Sequence, residues 1–317
     1  MTERMKKIVI ALGGNALQDA NGEATAEAQL AVVMKTCNYI AEIVAKDYQI
    51  VLVHGNGPQV GRILVASETA RDVTPPMPFD VVGAMSQGYI GYQIQQALRT
   101  ELANRGRNVP VVTLITQVVV DEKDPAFQNP TKPIGAFYSE EEAQKLSVEK
   151  GYAMKEDAGR GWRRVVASPR PARIVEIETV KQLCDTSIVI AAGGGGVPVV
   201  ELPEERLEGV AAVIDKDFAA ELLAEQIDAD ILLILTAVER ISVNYNKPDQ
   251  MNLVSITAAE AEEYISKGHF APGSMLPKVE AAVKFVKSGP NKKAVIASLY
   301  NAINALEGNS GTIITLY

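Results

Sequence analysis

Short, unbroken runs of Val, Ile, Leu and Ala recur along the chain between longer stretches of helical spacing, and this alternation restricts the fold more than any other feature. KIVIAL (7–12), QIVLVH (49–54), VVTLITQVVVD (111–121), SIVIAA (187–192), DILLILT (230–236) and KAVIAS (293–298) lack the in–out pattern of a half-exposed strand. Each therefore predicts a strand buried on both faces. EAQLAVVMKTCNYIAEIVAK (27–46) carries its apolar residues at helical spacing. Strand then helix, repeated, predicts βαβ units, a mainly parallel sheet, and right-handed crossovers that lay helices on both faces. At 317 residues the chain can form two lobes on such a sheet and bury a core without staples.

One stretch breaks the rhythm. Residues 122–171 are rich in Pro, Gly and charge and hold the only tryptophan, Trp162. This segment is expected to leave the sheet as a small protruding subdomain, a lid or binding loop, against the plainer alternative of a solvated loop.

Composition excludes several classes. Apolar residues at 47% and charged residues at 22% describe an ordinary globular chain. A net charge of −8 argues against a nucleic-acid surface, though a local basic pocket for a small phosphorylated ligand stays open. Cys37 and Cys184 form no CxxC pair and read as packed thiols; His54 and His269 are the only histidines, which argues against a histidine metal site. The opening MTERMKKIVIALGG is too briefly apolar for a leader or a membrane span, so a cytoplasmic protein with no membrane contact is expected.

Glycine clusters follow three of the strand candidates: GGNA (13–16), GNGPQVG (55–61) and GGGG (193–196). Parallel strands bring such turns to one sheet edge, where open α/β folds bind ligands. Glycine-exposed amides and the helix starts beyond them suit an anion. A Walker A loop is excluded, because no Gly-Lys dipeptide exists in the chain. GNGPQVG is one residue longer than the dinucleotide fingerprint, which keeps an NAD reading open only in a loose form.

Three lysines stand beside turns. Lys132 lies between Pro130 and Pro133 in NPTKPIG, either aimed by a stiffened loop or merely solvated. Lys216 lies between Asp215 and Asp217 where a strand meets a helix; either aspartate could cap that helix, and the lysine could equally be a phosphate ligand. Lys278 follows Pro277 near a helix start, where a cation opposes the dipole unless a bound phosphate compensates. Glycine-turn amides, three lysines and an orienting aspartate are the parts that phosphoryl transfer needs, with Mg²⁺ bridging nucleotide phosphates. No Ser-His-Asp or Cys-His arrangement competes.

Taken together, IVIALGGNAL, VHGNGPQVG, AMSQGYIGY, NPTKPIG, KEDAGRGWRRVVASPRP, GGGGVPVV, VIDKDFAAELLAE and GHFAPGSMLPKVEAAVKFV resemble carbamate kinase, of the amino acid kinase superfamily, nearly end to end. The resemblance implies a three-layer αβα sandwich on a mainly parallel sheet, with a small protruding subdomain at about 122–171. It implies an N-terminal lobe (1–205) for carbamate or carbamoyl phosphate, a C-terminal lobe (206–317) for ATP or ADP, Mg²⁺ with the nucleotide, and a homodimer. The reaction implied is ATP + carbamate ⇌ ADP + carbamoyl phosphate, run towards ATP in arginine or related catabolism.

By motif, Lys132, Lys216, Lys278 and Asp215 would be catalytic, with Asp215 orienting the lysines. Gly13, Gly14, Asn15, Gly55 and Asn56 would bind substrate. Gly193, Gly194, Gly195 and Gly196 are expected to let the backbone approach substrate where a Cβ would intrude. Thr236, Val238 and Tyr245 would border the adenine and ribose. Acetylglutamate-type kinases carry a lysine before the first Gly-Gly turn; this chain has Ala11 and Leu12 there, which leaves Lys132 as the substitute cation. A kinase for another small carboxylate, a silent regulator and an NAD-binding module are the alternatives.

Overall fold

A computed structural model describes residues 4–19, 22–157 and 159–317, leaving outside the first three residues of the opening segment and one residue of the 122–171 stretch. The apolar runs gather into one eight-stranded sheet. Its strands are β1 (Lys7–Leu12), β2 (Gln49–His54), β3 (Val111–Thr113), β4 (Ile188–Ile190), β5 (Ile231–Thr236), β6 (Ser255–Thr257), β7 (Lys293–Ser298) and β8 (Thr312–Thr315). They lie in the order β6-β8-β7-β5-β1-β2-β4-β3. All neighbours are parallel except the β7–β8 pair.

The helices are α1 (Ala26–Val44), α2 (Gly57–Thr69), α3 (Phe79–Asn104), α4 (Glu140–Lys150), α5 (Ile177–Cys184), α6 (Lys216–Gln226), α7 (Ala258–Ser266), α8 (Met275–Lys287) and α9 (Ala302–Leu306). Strand side chains alternate between two cores. Val9, Ala11, Val51, Val53, Leu232 and Ile234 pack beneath α5, α6, α7 and α8. Ile8, Ile10, Ile50, Leu52 and Leu233 pack beneath α1, α3 and α9. Two buried faces explain why the runs show no polar alternation, and they make the fold a three-layer αβα sandwich.

The run 111–121 does not stay in one sheet. Gln87 of α3 clasps the backbone of Thr116: its amide nitrogen donates to the Thr116 carbonyl (3.0 Å) and its oxygen accepts from the Thr116 N–H (2.8 Å). These bonds hold Thr116 between the two sheets, where its carbonyl also accepts the Val197 N–H at 2.8 Å. Beyond it, Gln117–Val120 joins a second, four-stranded sheet with Pro171–Ile174, Val197–Glu201 and Leu207–Gly209.

The 122–171 segment is folded. Strands Lys132–Tyr138, Met154–Glu156 and Trp162–Val166 form an antiparallel sheet, and α4 packs beside it behind a Ser139–Glu142 capping box. Lys132 therefore opens a strand and does not sit in a stiffened loop. Pro133 is tolerated because this strand is an edge of its sheet. Ile134 and Val166 share a small core with Val60 and Leu64 of α2 and with Phe79 and Val82 of α3, which docks the segment on the sandwich.

Glu221 of α6 is fully buried and bonds Lys284 of α8 at 2.7 Å. Burial nevertheless pushes its carboxyl up to about 7, with the lysine opposing. The folded state thus binds a proton more tightly than the unfolded chain, so this group lowers stability as pH rises from about 4.5 to 7. Chemical denaturation across that window should show stability falling with pH by up to about 3 kcal/mol, a slope that Glu221→Gln removes. An unchanged slope in the variant would contradict it.

Candidate active site

Parallel pairing sends the carboxyl ends of β1, β2, β4, β5 and β7 to one edge. Three helices also start there: α2 after β2, α6 after Asp215, and α8 after the loop ending at Ser274. Their unpaired amide ends favour an anion. Two adjoining cavities occupy this edge. The first, of about 290 Å³, is lined by Gly55, Asn56, Gln59, Lys132, Gly194 and Asp215 among others. The second, of about 330 Å³, is lined by Gly13, Asn15, Thr236, Ala237, Leu299 and Tyr300 among others. Gly14, Lys216, Gly273, Ser274 and Lys278 line both and form the junction.

A single carboxylate organises that junction. Lys216 Nζ lies 2.5 Å from Asp217 Oδ1, and Lys278 Nζ lies 2.8 Å from Oδ2. The Asp217 side chain is only 3% exposed and each lysine 14%. Burial alone would raise the Asp217 carboxyl; the two lysine charges outweigh it and hold the group below the usual aspartate value. Asp215 has a different task. Its Oδ1 accepts the Asp217 N–H at 2.9 Å, capping α6, while its Oδ2 meets Lys132 Nζ at 3.3 Å. The orienting role expected of Asp215 is thus divided, and Asp217 takes the two lysines on the helices.

The glycine turns bring the backbone in close. A Cβ on Gly13 would stand 2.9 Å from the Leu235 carbonyl oxygen, which fixes the β1 turn against the end of β5. Gly55 rests on the aliphatic stem of Lys216. Of the four consecutive glycines, only Gly194 lines the cavity. Their close neighbours are protein atoms: a Cβ on Gly193 would strike His54, on Gly194 Asn56, on Gly195 the Ile214 carbonyl and on Gly196 Val118. Gly195 also needs φ of +97°, a conformation that side chains strain against. The turn therefore lets the ends of β2 and β4 pack on the segment leading into Asp215.

His54 lies beneath this turn. Burial lowers it to about 4, which keeps it neutral, and its Nδ1–H donates to the Gly55 carbonyl at 2.8 Å. Asn56 is held from outside the cavity by Ser86, whose Oγ accepts its amide at 2.9 Å.

The sequence profile of the amino acid kinase family matches residues 6–298. A carbamate kinase of Clostridium perfringens is 60% identical over 96% of this chain and 98% of its own length. One from Pyrococcus horikoshii is 54% identical over 98% and 99%. The solved structure of carbamate kinase from Giardia lamblia bound to AMP-PNP superposes with a TM-score of 0.94 at 44% identity, covering 98% of each chain. The chain belongs to the carbamate kinases of the amino acid kinase family.

The structure brings most of the residues that the motifs of a carbamate kinase suggest to these two cavities. Lys132, Lys216, Lys278, Asp215, Gly14, Gly55, Asn56 and Gly194 line the first cavity, and Gly13, Asn15 and Thr236 the second. Val238 and Tyr245 line neither; Tyr245 stands 57% exposed just beyond the short strand Ser242–Val243. Asp217, Gln59, Gly273, Ser274 and Tyr300 were not singled out as site residues, although Gly273 and Ser274 sit within the quoted APGSMLPK.

Asp217→Asn should test the clamp. Removing the buried charge leaves two lysines without their shared partner and is expected to cost about 3 kcal/mol in urea unfolding. Asp217 titrates below its unfolded value near 3.8, so its contribution is complete above that pH and lost only as pH falls through the lower folded value. The deficit should be constant from pH 5 to 8. A variant as stable as the parent would show that the clamp is not structural.

Proposed function

We propose that this chain catalyses reversible phosphoryl transfer between ATP and carbamate, giving ADP and carbamoyl phosphate. One observation carries the reading: two lysines, fixed on one buried carboxylate, sit where two cavities of suitable size meet. The first cavity, with Lys132, Asn56 and the α2 start, suits carbamate or carbamoyl phosphate. The second, with Gly13, Asn15 and Thr236, suits the nucleotide. Residues from 1–205 predominate in the first cavity and residues from 206–317 in the second, with both halves contributing to each.

In the ATP-forming direction the bond between phosphorus and the carbamate oxygen breaks. A bond from phosphorus to a β-phosphate oxygen of ADP forms, and carbamate leaves as an anion, with no proton transfer required. Lys216 and Lys278 face the equatorial oxygens of the group in flight. Lys132 holds the acceptor side. Its 3.3 Å contact and 36% exposure leave it the freest of the three to exchange Asp215 for a substrate oxygen. Helix starts and glycine-turn amides supply further donors.

Among the described residues no group of three His, Cys, Asp or Glu side chains could cage a metal. Asp215, facing the first cavity, fits a Mg²⁺ held chiefly by nucleotide phosphates and water. Such an ion would neutralise phosphate charge during transfer.

We read the protein as a cytoplasmic homodimer working in arginine or related catabolism. Both cysteines are free and buried, which suits a reducing compartment, and no described helix is long and apolar enough to cross a membrane. Met85, Tyr92 and Ile115 lie exposed along α3 and beyond edge strand β3, an apolar face that suits a second copy. Sedimentation equilibrium returning the monomer mass at micromolar concentration would refute the dimer.

The direct test mixes the protein with carbamoyl phosphate, ADP and Mg²⁺ and couples ATP formation to a readout, with acetylglutamate and aspartate tried in parallel as acceptors from ATP. ATP should form from carbamoyl phosphate, with neither amino acid phosphorylated. Lys216→Ala should lower the rate by about 10²–10³. Wild-type turnover in that variant would remove Lys216 from the mechanism.

A further inference from the structure

The lining of the second cavity is of mixed character. Its cations, Lys216 and Lys278, lie at the junction shared with the first cavity. The residues confined to the second cavity include the apolar Ala16, Leu235, Ala237 and Leu299, the polar Asn15 and Thr236, and one aromatic side chain, Tyr300. Among the described residues no other aromatic lines either cavity. Tyr300 follows β7, in the turn Leu299–Asn301 that precedes α9. Its residue is 74% exposed, an uncommon place for a tyrosine that serves only packing. The ring is nevertheless braced from one side. Tyr39 of α1 meets it edge to face, with centroids 5.5 Å apart and planes at 84°.

An aromatic side chain that lines a cavity together with two cations, and is braced by a neighbour, suits a ligand that carries both charge and a flat ring. We infer that Tyr300 is the base-stacking residue of the nucleotide site and sets its preference for a nucleotide over a bare polyphosphate. This rests on the nucleotide reading given above. It moves the aromatic contact from Tyr245, which lines neither cavity, to the turn after β7. Base–aromatic stacking tolerates any planar base, so Tyr300 favours purine nucleotides through overlap area and leaves discrimination between bases to other groups.

Isothermal titration of the full chain with ADP and, separately, with inorganic pyrophosphate, both with Mg²⁺, tests this. Tyr300→Ala should weaken ADP binding about tenfold or more while pyrophosphate binding stays within twofold. Tyr300→Phe, which keeps the ring, should restore ADP affinity. ADP binding within twofold of the parent in Tyr300→Ala overturns the inference, as does a parallel loss for pyrophosphate, which would mean a general disturbance of the cavity. A parent protein that binds no ADP would instead refute the nucleotide reading on which the inference stands.

Discussion

The site depends on one buried carboxylate gripped by two lysines. Asp217 sits in the first turn of α6 and reaches Lys216 beside it and Lys278 on α8. An ion so deeply buried is tolerated only when paired, and here both oxygens have a cationic partner. The clamp also solves a problem set by the helices. Lysines near helix starts oppose the dipoles, and an acid held between them offsets that repulsion while keeping both amines at the cavity junction. Three lysines against Asp215 and Asp217 leave one net positive charge at the site. Phosphate charge beyond that must be met by helix starts, glycine-turn amides and a divalent cation, which explains why the backbone is brought so close.

The sheet makes that approach possible. Five parallel pairings deliver the ends of β1, β2, β4 and β5 to one edge. Gly13 fits beneath the Leu235 carbonyl, and the 193–196 turn fits against His54, Asn56, Ile214 and Val118. The glycines serve mutual packing of strand ends first; the cavity is what those packed ends enclose. His54 couples the two functions, lying under Gly193 while it holds the Gly55 carbonyl.

Much of this was legible in the chain. Uninterrupted apolar runs announced β1, β2, β4, β5 and β7, because burial on both faces leaves no room for polar alternation. The edge strand β6 and its neighbour β8 carry no such signal, being short and half covered. The break at Thr116 was invisible, since it comes from Gln87, a residue 29 positions away. The three lysines could be found beside their turns. The choice between Asp215 and Asp217 could not, because both flank Lys216 and either could cap the helix; only the position of α8 decides which carboxylate meets Lys278. Tyr300 was hidden for a similar reason. Nothing near it in the sequence marks a site, and it joins the cavity only because β7 lies beside β5.

The most direct measurement is a crystal structure with AMP-PNP and Mg²⁺ bound. The account predicts the γ-phosphate at the junction of the two cavities, with Lys216 and Lys278 Nζ each about 3 Å from its oxygens while both still contact Asp217. A γ-phosphate bound away from both lysines, or lysines that abandon Asp217 altogether, would contradict it.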